Sequence, residues 1–145
     1  MSIEVLLVDD SPGDVRLMQE AFRDADSAIR LRVARDGVEA MEVLQHTGLH
    51  ADAPRPDLIL LDLNLPKMDG REVLTRIKTD ASLKSIPTLI LTTSTAEADI
   101  VKSYQLQANC YLSKPVQLEA FDNLVRSIND FWLTNVRLPR QKESE

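Results

Sequence analysis

The chain has 145 residues, with 23 acidic and 17 basic side chains and a formal net charge of −6, which is room for one domain with a proper core and for no second domain of ordinary size. That acidic balance argues against a direct nucleic-acid partner, because nonspecific affinity for the phosphate backbone comes from clustered Lys and Arg. No apolar run exceeds four residues, and Glu4 and Asp9 stand where a signal peptide needs a basic start and a long apolar stretch, so a soluble, cytoplasmic protein without a membrane partner is expected.

Strand-like runs alternate with helix-like stretches five times, the pattern of an α/β fold around a parallel sheet. The first strand, near 3–8, runs into Asp9-Asp10-Ser11-Pro12, where Asp10 or Ser11 can cap and Pro12 suits the first helical position. The first helix, near 12–25, puts Val15, Met18, Phe22 and Ala25 on one stripe. Ile29, Leu31 and Val33 alternate with Arg30 and Arg32, a strand wetted on one face and therefore placed at a sheet edge. Asp36-Gly37 opens the second helix, with Val38, Met41 and Leu44 inward and Gly48 as its C-cap. His46 and His50 flank that end in a loop reaching Pro56, and with no partner residues nearby in sequence both read as solvated.

Leu58 to Leu61 and Leu89 to Leu91 are continuously apolar, as strands buried on both faces of a covered parallel sheet must be. A doubly wound, five-stranded sheet of order 2-1-3-4-5 fits the pattern. The third helix follows Gly70 with Val73, Leu74 and Ile77, and the fourth follows Ser94-Thr95 with Ile100, Val101 and Tyr104. Tyr111-Leu112 forms the last strand; its neighbour Cys110, a lone cysteine without a disulfide or zinc partner, reads as a small buried hydrophobe. The fifth helix begins after Pro115 and carries Leu118, Phe121, Val125, Ile128 and Trp132 at helical spacing. One domain over 1–137 is expected, followed by a polar, frayed tail over 138–145.

The apolar runs end, in order, on Asp9-Asp10, Asp62, Thr92 and Lys114. If these runs are parallel strands of one sheet, their carboxyl ends lie side by side, where open α/β sheets bind ligands. Gathered carboxylates repel, so the cluster should hold a proton or bind a cation, and an oxygen site with one or two carboxylates suits Mg2+. A carboxylate can also attack phosphorus and form an aspartyl phosphate. Thr92 and Lys114 would then give the transferred group a hydrogen bond and a positive charge. Each signal alone has a plain reading, a helix cap for Asp9-Asp10 and a solvated turn for Lys114-Pro115; the joint pattern is what is specific.

Through Val-Asp-Asp-Ser at 8–11, Leu-Asp-Leu-Asn-Leu-Pro-Lys-Met-Asp-Gly at 61–70, Leu-Thr-Thr-Ser at 91–94 and Tyr-Leu-Ser-Lys-Pro at 111–115, the chain resembles a response-regulator receiver domain, a flavodoxin-like (CheY-like) fold. Asp-Ser-Pro-Gly-Asp, the long loop before Arg-Pro-Asp, Asn-Cys-Tyr-Leu and the terminal Phe-Trp-Leu resemble, more narrowly, the small regulators paired with bacterial phytochromes. The resemblance implies a phosphoacceptor switch rather than an enzyme, served by a histidine kinase of phytochrome type. Asp62 matches the phosphoacceptor, Asp10 the direct Mg2+ ligand, Asp9 the acid acting through a water, and Asn64 the residue lending its backbone carbonyl. Lys114 matches the lysine that pairs with the phosphoryl group, followed by a cis peptide bond at Pro115. Thr92 and Tyr111 match the coupled switch pair, and Asn64 and Ser94 flank the line of hydrolytic attack, so that neither being an acid or long amide implies slow to intermediate self-dephosphorylation. No output domain is expected.

A competing reading is a small Mg2+-dependent phosphatase with Asp62 as nucleophile, although such enzymes want a second acid two residues on, where this chain has Asn64. A nucleotide-binding module is disfavoured because no G-x-G-x-x-G follows the first strand. The last helix and its extension are more apolar than one stripe needs, so either the segment folds back on its own domain or it meets a partner. The expectation is a homodimer through the face of helix four, strand five and helix five, with Phe131 and Trp132 in the interface.

Overall fold

The computed structural model describes residues 2–26, 28–117 and 119–139. Five strands alternate with five helices: β1 (Ile3–Val8), α1 (Pro12–Ala25), β2 (Ile29–Ala34), α2 (Gly37–Gln45), β3 (Leu58–Leu61), α3 (Gly70–Thr79), β4 (Thr88–Thr92), α4 (Glu97–Gln105), β5 (Cys110–Ser113) and α5 (Ala120–Ile128). The sheet is wholly parallel in the order β2-β1-β3-β4-β5. No helix of the described residues is long and apolar enough to cross a membrane.

The period of two along each central strand divides the core into two layers. Leu6, Val8, Ile59, Leu61 and Ile90 face α2 and α3 through Met41, Leu44, Val73 and Ile77. Val5, Leu7, Leu58, Leu60, Leu89 and Leu91 face α1 and α5 through Val15, Met18, Phe22, Phe121 and Val125. β3 and β4 are therefore buried on both faces, while β2 alternates between half-buried and exposed at its edge. Each fully buried Leu or Ile contributes about 1.5–3 kcal/mol of hydrophobic stabilisation.

Several local expectations are corrected. α1 buries Ala21 rather than Ala25, which is the last helical residue before the chain leaves at the extended C-cap Asp26. Val38 is exposed because it lies on the flank of the stripe formed by Gly37, Ala40, Met41 and Leu44. His46, not Gly48, is the left-handed C-cap of α2, and the following 3-10 turn, Gly48–His50, brings His50 back onto the helix start, its Nε2 3.1 Å from Glu39 Oε2. His46 is exposed, but His50 is only partly so.

On α4 the fully buried residue is Ser103; Ile100 is half-buried, and Val101 and Tyr104 are 45% and 49% exposed. Cys110 is half-buried against the α1–α5 layer, and burial raises its thiol pKa. α5 starts at Ala120 rather than directly after Pro115, and it ends at Ile128, where the chain widens into a π-helix over Asn129–Asn135. The amide of Val136 donates to the Phe131 carbonyl at 2.8 Å, an i→i+5 bond. That winding leaves Phe131 55% exposed while Trp132, Leu133 and Leu138 pack partly against the α1–α5 layer. Part of the surplus apolar surface thus folds back on its own domain, Leu138 included. Leu118 and the tail from 140 lie outside the described residues.

Candidate functional site

The hydrogen-bond ladders of the sheet run one residue past the strands and fix the site backbone. Asp9 N donates to Ala34 O at 3.0 Å, Asp62 N to Val8 O at 3.0 Å and Lys114 N to Thr92 O at 2.8 Å. Adjacent ends therefore carry Asp9, Asp62, Thr92 and Lys114 to one edge, as their positions in sequence imply. Gly70 tightens this edge: its amide donates to Leu63 O at 2.9 Å, and an added Cβ would collide with the Asp62 carbonyl oxygen and the Leu63 backbone. Only glycine lets α3 start this close to the Asp62 strand end.

Lys114 is the hub. Its Nζ lies 2.8 Å from Asp62 Oδ2, 2.7 Å from Asp9 Oδ2 and 3.0 Å from Asp14 Oδ2. Asp62 and Asp9 are buried, whereas Asp10 is exposed. Asp9 Oδ1 accepts from the Ser11 amide at 2.9 Å, and Asp62 Oδ1 accepts from the Asn64 amide at 3.1 Å. Asn64 itself is exposed beside the acceptor. Burial pushes the Asp9 carboxyl above the ordinary aspartate range, even against the pull of Lys114 and the Ser11 amide. Burial also works against the Lys114 charge, but its close pairing with the Asp62 and Asp9 carboxylates outweighs that and raises its pKa.

The Lys114–Pro115 bond is trans, as are all described peptide bonds. The expected cis geometry is absent because the trans form, the lower in energy for X–Pro by about 0.5–1 kcal/mol, already lets Nζ reach all three carboxylates.

Thr92 Oγ1 is fully buried and has no hydrogen-bond partner among the described residues. Tyr111 Oη reaches the same loop and donates to Ser94 O at 2.9 Å. The Ser94 hydroxyl is turned to α4, donating to Asp99 Oδ2 at 2.6 Å, and Asp99 Oδ1 accepts from Arg71 Nη2 at 2.7 Å. Those two hydrogen bonds, Ser94 first, hold the Asp99 carboxyl below its ordinary pKa.

Two features escaped the sequence reading. Asp14 completes the Lys114 shell, and the Arg71–Asp99–Ser94 chain ties α3 to the loop after β4. Asp14 stands in the first turn of α1, three residues after the N-cap Ser11 and 100 residues from Lys114, so no local spacing joins the two. Arg71 and Asp99 are 28 residues apart, and no local pattern joins them.

Asp9, Asp10 and Asp62 each offer one carboxylate oxygen, all within 4.8 Å of one another. This all-oxygen set, with one exposed and two buried carboxylates, fits a hard divalent cation, which would also offset the unfavourable charge on buried Asp9.

Comparison with known proteins gives the family. The model of the response regulator receiver domain family matches residues 5–126. The response regulator Rcp1 of Synechocystis sp. (strain PCC 6803) is 50% identical over 135 residues, spanning 93% of this chain and 92% of that protein. The crystal structure of the phosphorylated cyanobacterial phytochrome response regulator RcpA is similar with a TM-score of 0.93 at 47% identity, covering 97% of this chain and 100% of that one. The Mn2+-bound form of Rcp1 is similar with a TM-score of 0.88 at 48% identity, over 95% and 99% of the two chains. The chain belongs to the response regulator receiver family.

Proposed function

We propose that this protein is a phosphorylation switch in which Asp62 accepts a phosphoryl group from a histidine kinase of phytochrome type. The observation that carries the reading is the convergence on buried Asp62 of the Lys114 ammonium, at 2.8 Å, with the unpartnered Thr92 hydroxyl at the next strand end. In the transfer, the N–P bond of a phosphohistidine breaks as an O–P bond forms at an Asp62 carboxylate oxygen. Lys114 balances charge on the transferred oxygens, and the Thr92 hydroxyl gains the hydrogen-bond partner it lacks. Mg2+ held by Asp10, Asp62 and the Asn64 carbonyl, with Asp9 acting through a water, would neutralise the developing charge. The kinase type is taken from the likeness to the phytochrome response regulator RcpA.

Movement of Thr92 toward the new group would draw on the loop that Tyr111 and Asp99 hold, so charge at Asp62 is read out at α4 and β5. Exposed Val101, Tyr104 and Phe131 on that side, with half-buried Trp132, supply the surface for a homodimer through the α4-β5-α5 face. Asn64 and Ser94 flank the acceptor and set its lifetime. The phosphatase alternative lacks an acid at 64. Incubation with an aryl phosphate and, separately, with acetyl phosphate distinguishes the two: the switch gives no multiple turnover and one label per chain, whereas sustained turnover without a stable label indicates the phosphatase.

A further inference from the structure

The carboxylate of Asp14 has no place in the cation cluster, yet it stands 3.0 Å from the ammonium that serves the acceptor. A lysine ammonium has three donors, and in this state three carboxylates from three elements surround it: Asp9 after β1, Asp14 in the first turn of α1 and Asp62 after β3. Lys114 donates hydrogen bonds to Asp14 and Asp62 and is ion-paired with Asp9; a phosphoryl group on Asp62 brings new acceptor oxygens into this crowded shell, where they compete with the carboxylates already there. The partners differ in what release costs them. The Asp9 and Asp62 side chains are 1% and 8% exposed, so water cannot replace the ammonium there; that of Asp14 is 29% exposed and makes the longest of the three contacts.

We propose that Asp14 is a placeholder: it holds one donor of Lys114 in the unphosphorylated state and yields it to the phosphoryl oxygen. This rests on the receiver reading above. Asp14 is a positioning residue, acting on the acceptor through Lys114. An acid at a helix start also favours the macrodipole, and its amide lies 3.4 Å from the capping Ser11 hydroxyl, but that role alone would leave Lys114 and the labelling rate untouched.

The test measures the rate of labelling by acetyl phosphate at saturating Mg2+. Asp14→Asn, which removes the competitor and keeps the shape, should label about five-fold faster, the scale of a partly exposed ion pair. Asp14→Glu should restore the wild-type rate, and Glu97→Gln, which removes an equal charge from the first turn of α4, should leave it unchanged. In the wild type, the Asp14 carboxyl carbon resonance should move on saturation with beryllofluoride and Mg2+. An unchanged or slower rate in Asp14→Asn, equal acceleration in Glu97→Gln, or a stationary Asp14 resonance overturns the proposal. Failure of the underlying reading looks different: the wild type itself takes no label, or Asp62→Asn still does.

Discussion

Tyr111 donates a 2.9 Å hydrogen bond to the backbone carbonyl of Ser94, joining β5 to the loop that leaves β4. The same Ser94 holds Asp99, in the first turn of α4, through its hydroxyl. Tyr111→Phe keeps the ring and removes only this bond, at a cost of about 1 kcal/mol. Amide hydrogen exchange over Thr95 to Ile100 should quicken while β3 stays protected; unchanged exchange there would show that the loop is held by other contacts.

The site edge was legible because strand ends and chemistry coincide in the sequence. Continuous apolar runs specified the inner strands, β-branched and leucine-rich segments specified both layers, and Asp9, Asp62, Thr92 and Lys114 fall where those runs stop. What escaped was settled by tertiary contact. Val101 and Tyr104 have helical spacing but sit on a helix that buries little beyond Ser103. The π winding after Ile128 depends on i→i+5 bonds that no apolar period encodes. His50 finds Glu39 only because a 3-10 turn folds the loop back on α2.

Burial raises the Asp9 carboxyl pKa, so ionising it costs stability as pH rises through the folded value, a cost that a divalent cation bound beside it would offset. Asp9→Asn should therefore raise the thermal midpoint in EDTA by about 4 °C, corresponding to about 1 kcal/mol for a domain of this size. Mg2+ should then stabilise the wild type more than the variant, and Asp10→Ala should lose most Mg2+ affinity. A lower midpoint in EDTA for Asp9→Asn would show that the ion pair with Lys114 outweighs burial.

Asp99 behaves in the opposite sense. Its pKa is lowered from the ordinary 3.8 by Ser94 and then Arg71, so its stabilisation is fully present above that value and is lost as pH falls through the lower folded value. Asp99→Asn should melt earlier than the wild type at neutral pH, with the gap closing below about pH 4. A gap independent of pH would mean that the substitution acts through packing rather than charge.

Phe131 and Trp132 pack edge to face with ring centroids 5.6 Å apart, Phe131 the more exposed of the two. If they form the centre of a dimer interface, sedimentation of the wild type should show a dimer that Trp132→Glu converts to a folded monomer. A wild type that stays monomeric with and without phosphorylation removes the interface.

Asp62 has Lys114 at 2.8 Å and shares an oxygen cluster with Asp9 and Asp10, and the proposal that it is the sole acceptor is tested most directly by intact mass after acetyl phosphate and Mg2+. The expected result is one acid-stable, base-labile phosphoryl group per chain, absent in Asp62→Asn and absent in EDTA. A phosphoryl adduct that persists in Asp62→Asn, or that forms without a divalent cation, would contradict it.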